Sequence, residues 1–350
     1  MTEPLVVKLG TGLVVGEDGE VRRDLLHARA REVARLVNGG EPVCVVSSGA
    51  IALGLPRLGL KRRPRTMARL QAASALGQAR LQAAWEEALG EEGIPAAQIL
   101  LAAGDVADRA AYVNARQAFS ELFRLGAVPV VNENDATATD EITFGDNDAL
   151  AAQVAVLVRA RLLILLTEVE GLYSRAPGTP GAELLSEGEL AGEAEIGVGT
   201  ELGRGGMGSK VVAAQMASAA GIPTVIAGGL GDDVLGPIIA GEARGTRFTA
   251  GERAESAFKL WLRFGKPVAG RLHVDEGARR ALVEKGASLL GVGVVDCEGR
   301  FDAGAAVELV GPDGVAFGKG IAGAGAEELS ARPRGLEAVH RDRLVLYKHS

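Results

Sequence analysis

The sequence predicts an α/β protein: an open, mostly parallel sheet sandwiched by helices, followed by a small β-rich domain. Three observations carry that prediction. Short apolar runs alternate with stretches of helical spacing from residue 5 to residue 227, the pattern of right-handed βαβ crossovers. The polar residues that interrupt it sit at the ends of those runs, at Lys8, Ser48, Asn132, Asp135, Thr167 and Glu168. Beyond residue 267 the texture changes to short strands and turns, with a single helical stretch at 276–284.

Taken in order, residues 5–9 form a strand broken only by Lys8, and Gly10 and Gly12 turn the chain where it ends. Residues 24–38 place Leu25, Leu26, Ala30, Val33, Leu36 and Val37 at helical spacing, and Gly39 with Gly40 stops the helix. Strand 42–46 ends in Ser47, Ser48 and Gly49. One or two Ala-rich helices are expected over 66–89, then a strand at 98–101, a helix at 111–125 and a strand at 128–131. Helix 146–159 follows, with Asp146 placed as its cap. Next come strand 161–166, a Gly/Pro-rich excursion at 176–181, a glycine-rich segment at 197–208, helix 209–220 and strand 222–227. In the second part strands are expected at 271–274, 291–296, 305–310 and 315–321. The expected organisation is a first domain over 1–250, a linker over 251–266 and the β-rich domain over 267–350.

Composition narrows the classes. The chain has 350 residues, 47% hydrophobic, ample for two cores. Its net charge of −7 argues against nucleic acid as a partner for the whole chain. Residues 267–350 carry 11 Lys and Arg against 12 Asp and Glu, so 11 − 12 = −1, and few aromatics, which also disfavours RNA there. The two cysteines, Cys44 and Cys297, support neither a disulfide framework nor a CxxC metal site. His27, His273, His340 and His349 have no metal-ligand spacing. The start runs straight into a strand, and no run approaches transmembrane length. A soluble, cytoplasmic chain is expected.

Two stretches carry chemistry. In 128–152 an apolar strand leads into Asn132, Glu133, Asn134 and Asp135, and the theme returns as Asp146, Asn147 and Asp148. Short-armed carboxamides and carboxylates beyond a strand can receive an ammonium and orient a carboxylate on one small molecule. The same residues also fit a solvated turn with Asp and Asn as helix caps. In 203–210, GRGGMGSK, the glycines fit GxGxxG, but no strand leads in and no acid stands where a ribose partner belongs, so a nicotinamide reading fails. The GxxxxGK[ST] pattern fails because Ser209 precedes Lys210. Lys210 still puts a cation at a helix start, where the dipole favours anions, which makes sense if a phosphate arrives. Lys8 is the second unusual lysine. The alternatives are an edge strand with a snorkelling side chain, or an ammonium group held at a strand end for phosphate.

These residues resemble the amino acid kinase family. The resemblance rests on VVKLGTG (6–12), SSGAIALG (47–54), VNEND (131–135), GDNDALAA (145–152), LLTEVEGLY (165–173) and GRGGMGSK (203–210). VNEND with GDND points to the glutamate-phosphorylating branch. VDEGARRAL (274–282), GASLL (286–290) and VAFGKGIA (315–322) resemble the PUA domain. The resemblance implies ATP-dependent phosphorylation of the side-chain carboxylate of L-glutamate, with Mg²⁺ on the nucleotide. It implies that Lys8 and Lys210 contact the transferring phosphoryl group and that Asp148 orients both. Ser48, Asn132, Asp135 and Asn147 would hold glutamate, with Asp146 in support. Lys8, Thr167 and Glu168 would meet the nucleotide under a cover made of Arg204, Gly205, Gly206, Met207, Gly208, Ser209 and Lys210. Glu168 and Arg204 depart from the family pattern, where Asp and Thr are usual, which bears on nucleotide affinity.

The product would be L-glutamyl 5-phosphate at the start of proline biosynthesis, consumed by a glutamyl phosphate reductase. The resemblance also implies feedback by proline, sensed by the loop at 137–144, and a homo-oligomer. Other kinases of the family, acting on acetylglutamate, aspartate, carbamate or UMP, remain alternatives, as does an RNA-binding role resting on the PUA-like part.

Overall fold

The architecture starts from a central strand of five buried residues, β1 (Leu5–Leu9). The computed structural model describes residues 2–60, 62–102, 105, 109–137, 147–175, 177–188, 206–251 and 256–347. After β1 come α1 (Thr11–Val14), α2 (Arg23–Asn38), β2 (Val43–Ser47), α3 (Ala50–Gly54), α4 (Met67–Gly90), β3 (Ala96–Leu101), α5 (Arg109–Arg124) and β4 (Val128–Glu133). The first unit continues with α6 (Asn147–Val158), β5 (Leu162–Thr167), α7 (Met207–Ala219), β6 (Thr224–Gly228), α8 (Leu235–Ile239) and β7 (Thr246–Phe248). The strands line up as β3-β4-β2-β1-β5-β6-β7. Every pairing is parallel except β6 with β7. This is the expected parallel sheet, closed at one side by an antiparallel edge strand too short to be read from periodicity.

Strands covered on both faces must be apolar throughout, and β1, β2 and most of β4 and β5 are buried along their length. One continuous core joins Leu5, Val45, Val130 and Ile164 of the sheet to Leu26 and Val33 of α2 and Leu81 and Trp85 of α4. Charge placement supports α2, with Asp24 in its first turn and Arg35 in its last.

Helix α4 is a single helix of 24 residues despite Gly77 at its centre. The glycine is there for close approach: a Cβ at Gly77 would lie 1.8 Å from the Ala50 carbonyl oxygen, and one at Gly54 would lie 1.8 Å from that of Ala73. Two glycines thus let α3 press its backbone onto α4. The short helices α1, α3 and α8 escape sequence reading because they hold too few residues to show a 3.6-residue period.

The chain divides at Ala257, and the second unit runs from Phe258 to Ser350. Helix α9 (Ala257–Leu260) and a π-helical turn (Trp261–Gly265) begin it. The stretch expected as linker is therefore helical over 257–265, because Leu260, Trp261 and Leu262 are buried. Its carbonyls are also taken up. Lys319 Nζ donates to the Arg263 oxygen at 3.3 Å and to the Lys266 oxygen. There follow β8 (Val268–Val274), α10 (Glu276–Lys285), β9 (Leu289–Leu290), β10 (Val294–Glu298), β11 (Ala306–Val310), β12 (Ala316–Ala322), α11 (Ala326–Ser330) and β13 (Glu337–Leu346). Asp275 caps α10 by accepting the Ala278 N–H at 2.7 Å. The strands form one mixed sheet, β10-β8-β11-β12-β13-β9, around a separate apolar core. No helix among the described residues is long and apolar enough to cross a membrane.

Candidate active site

Parallel strands end on one side of a sheet, and the register makes their ends level. Lys8 pairs with Val46 of β2 and Leu165 of β5, so Ser48 and Thr167 emerge beside it. Val131 pairs with Val46, which brings Asn132 to the same rim. β1 leads toward β2 on one side while β5 leads to β6 on the other, so the crevice between β1 and β5 is the switch point at which such sheets bind ligands.

Lys8 is the last residue but one of the fourth strand of seven, not an edge position. Its Nζ lies 2.5 Å from Asp148 Oδ1. Lys210, in the first turn of α7, places its Nζ 3.1 Å from Asp148 Oδ2 and 3.1 Å from the Gly206 carbonyl oxygen. Ser209 Oγ donates to Asp148 Oδ2 at 2.8 Å. Lys8, Lys210 and Asp148 are 3%, 6% and 0% exposed. Two ammonium groups this deeply buried need a shared counter-charge, and one carboxylate supplies it to both. Segments far apart in sequence therefore converge at one point, with a net positive charge at the carboxyl edge of the sheet.

Next to this triad lies a cleft of about 350 Å³, its open mouth included, lined by Thr11, Ser48, Arg63, Asn132, Asp135 and Asn147 with the backbone that opens α3. Asn147 and Asp148 are neighbours in the first turn of α6, so one turn of helix serves both the cleft and the lysines. Asn147 Nδ2 donates to Asn132 Oδ1 at 2.7 Å and to the Ser47 carbonyl oxygen at 3.0 Å. Asn132 Nδ2 donates to Gln78 Oε1 at 2.6 Å, and Ser74 Oγ donates to Asp135 Oδ2 at 2.5 Å. Trp85 Nε1 donates to Ser47 Oγ at 2.9 Å and steadies the end of β2. Two buried polar atoms of the cleft, Ser48 Oγ and Asp135 Oδ1, have no hydrogen-bond partner among the described residues. Burial raises the pKa of Asp135, while the Ser74 hydroxyl and the Arg63 charge act the other way. A buried carboxylate oxygen without a donor is a place for a cation from a ligand.

Of the expected site residues, most of those described fall into one group. Lys8, Lys210 and Asp148 meet, Ser48, Asn132, Asp135 and Asn147 share the adjoining cleft, and Ser209 joins the lysine cluster through Asp148. Thr167 ends β5 on the same rim. Glu168 turns toward α1, where a Cβ at Gly12 would lie 2.2 Å from its Oε2. Gly206, with φ 88°, precedes α7, and Met207 and Gly208 form its first turn. Asp146, Arg204, Gly205 and most of the loop at 137–144 lie outside the described residues. Sequence reasoning passed over Ser74 and Gln78. Their signal was present: two polar residues four apart on one face of an Ala-rich helix.

His27, expected to have no metal-ligand role, lies in a group with Glu87 and Glu91 whose ligand atoms are all within 4.8 Å of one another. Arg23 pairs with Glu87, and His27 Nδ1 lies 2.9 Å from Glu91 Oε2.

Known proteins with this ground plan identify the class. The family model described as the amino acid kinase family matches residues 3–228, and that described as the PUA domain matches residues 270–341. A solved structure of isopentenyl phosphate kinase, 22% identical, covers 70% of this chain and 99% of its own with a TM-score of 0.50, a likeness of fold. The glutamate 5-kinase of Gloeobacter violaceus is 46% identical over 97% of this chain and 98% of its own length. That of Thermus thermophilus is 44% identical over 98% and 96%, and that of Geobacter sp. strain M21 is 41% identical over 99% and 94%. The chain belongs to the amino acid kinase family and, within it, to the glutamate 5-kinase branch.

Proposed function

We propose that the protein transfers the γ-phosphoryl group of ATP to the side-chain carboxylate of L-glutamate, forming L-glutamyl 5-phosphate and ADP. The observation that carries this reading is the convergence of Lys8 and Lys210 on Asp148, beside a cleft with one carboxylate oxygen unpartnered among the described residues. An amino acid needs that pairing: Asp135 and the Asn147 carboxamide oxygen for its ammonium, and the Ser48 hydroxyl with the remaining Asn132 N–H for its polar oxygens.

The acceptor carboxylate has a solution pKa of ~4.3, so it is ionised at neutral pH and needs no general base. One of its oxygens attacks the γ-phosphorus, the bond to the β–γ bridging oxygen breaks, and ADP leaves with that electron pair. No proton moves. The barrier is repulsion between a carboxylate and a triphosphate, and the protein's answer is charge. Lys8 and Lys210 flank the transfer and stabilise the equatorial oxygens. Asp148 keeps both lysines charged and aimed. Bound Mg²⁺ would neutralise further phosphate charge. Because Asp148 is committed to the lysines, the ion would be held chiefly by the phosphates. Thr167, Glu168 and the segment from Arg204 to Lys210 hold the nucleotide, and Asp146 supports the acceptor site.

The product is an acyl phosphate, which suits the first step of proline biosynthesis in the cytoplasm, with a reductase as consumer and proline as a feedback ligand of the acceptor cleft. Residues 267–350, net −1, serve a structural or regulatory role rather than RNA binding. The test is ADP release against a panel of acceptors: L-glutamate, N-acetyl-L-glutamate, L-aspartate, carbamate and UMP. L-Glutamate should give the highest kcat/KM. A higher value with any other acceptor overturns the assignment.

A further inference from the structure

We infer that Arg63 recognises the α-carboxylate of the amino-acid acceptor and so sets the preference for a free amino acid over an α-blocked one. The inference deepens the proposed function and rests on the cleft being the acceptor site.

An amino acid presents its head group as a pair of opposite charges on one carbon. Among the described residues lining the cleft, two carry charge: Asp135, buried at its floor, and Arg63, exposed on the segment between α3 and α4. Asp135 Oδ1 is the acceptor for the ammonium. The other half of the zwitterion needs a cation, and the lysines cannot supply it, because Asp148 holds both at the phosphoryl-transfer end. Arg63 lies close enough for its charge to act on Asp135. A guanidinium offers a planar fork that matches a carboxylate.

The surrounding sequence supports the same reading. Residues 51–85 contain Arg57, Lys61, Arg62, Arg63, Arg65, Arg69 and Arg80, and no Asp or Glu, in a chain of net charge −7. Arg80 is paired with Glu20, and the sign of the rest favours an acceptor that is itself a net anion. Arg63 is the described member of that run that lines the cleft.

The experiment compares wild type, Arg63→Gln and Asp135→Asn with two substrates, L-glutamate and its α-amide (L-isoglutamine). Each is assayed as acceptor, and the α-amide also as a competitor against L-glutamate. The α-amide keeps the ammonium and the side-chain carboxylate and loses only the group assigned to Arg63. Arg63→Gln should raise the KM for L-glutamate by about tenfold to a hundredfold, the loss expected for one charge-assisted pair. The constant for the α-amide should stay within about twofold, and the change should fall in KM rather than kcat. Raising ionic strength should weaken glutamate binding more in wild type than in Arg63→Gln. An equal rise for both substrates makes Arg63 a structural or screening residue and overturns the inference. So does an unchanged KM for L-glutamate in Arg63→Gln. Asp135→Asn separates the two levels of argument: an unchanged glutamate KM there overturns the cleft assignment and this inference with it. A raised KM in Asp135→Asn with no effect of Arg63→Gln overturns the Arg63 role alone.

Discussion

Replacing Asp148 by Asn removes one charge and almost no volume from the point where both lysines meet. The carboxylate lies 2.5 Å from one ammonium and 3.1 Å from the other and is fully buried. At an effective dielectric constant of about 20, each contact represents on the order of 5 kcal/mol of gross attraction. The net cost of stripping the shared partner from buried charges is smaller, about 3–5 kcal/mol. Part of that appears as lost stability and part as lysines that turn away. If about 3–4 kcal/mol of it reaches the transition state, turnover falls by roughly 10²–10³-fold. The assay is ADP release at saturating L-glutamate and ATP, with circular dichroism to confirm the fold. A folded Asp148→Asn variant whose kcat stays within about fivefold of wild type would refute the shared counter-charge as the organiser of the site.

Asp135→Asn should raise the glutamate KM by about tenfold or more while kcat changes little, since a charge-assisted bond to the ammonium is lost. Because burial raises the Asp135 pKa, this carboxylate gains its proton at a higher pH than an ordinary aspartate. The wild-type glutamate KM should therefore climb as pH falls, and steady-state kinetics should find that rise absent in Asp135→Asn. Gly77→Ala forces a Cβ to within 1.8 Å of the Ala50 oxygen. Overpacking against backbone should cost at least about 1–3 kcal/mol, seen as a Tm lower by several degrees, and a Tm within about one degree of wild type would refute it. In the second unit, burial brings the Lys319 pKa down to about 8 from the ordinary 10.5. Between those values the unfolded chain holds the proton that the folded chain has released, so stability gains with rising pH. The Tm of wild type minus that of Lys319→Met should increase from pH 8 to pH 10, and a flat difference would show that the buried amine does not titrate there.

The sheet was legible because its strands are buried on both faces and announce themselves as apolar runs, with Lys8 as the visible exception in β1. The lysine pair was legible because each residue was unfavourable where it stood, one inside an apolar strand and one at a helix start. The floor of the cleft was not. Ser74 and Asp135 are 61 residues apart, and Asn132 and Gln78 are 54 apart. Local pattern carries no information about which turn of a helix crosses which strand end. The contact of α3 with α4 was hidden for a related reason. Gly77 reads as a helix weakener at about 1 kcal/mol, and only the approach of the Ala50 carbonyl explains why no side chain is tolerated there. The charge-rich stretch at 51–85 was visible, but without the cleft nothing singled out Arg63.

The two ammonium groups differ in how they are mounted. Lys8 belongs to a strand hydrogen-bonded along both sides, to β2 and to β5, and cannot be displaced without tearing the middle of the sheet. Lys210 rides on the opening turn of α7, reached through a glycine and held by Asp148 and a carbonyl. The strand lysine is accordingly the stationary jaw of a vice. On the proposed mechanism, any adjustment to the changing distance between donor and acceptor oxygens falls to the helical jaw.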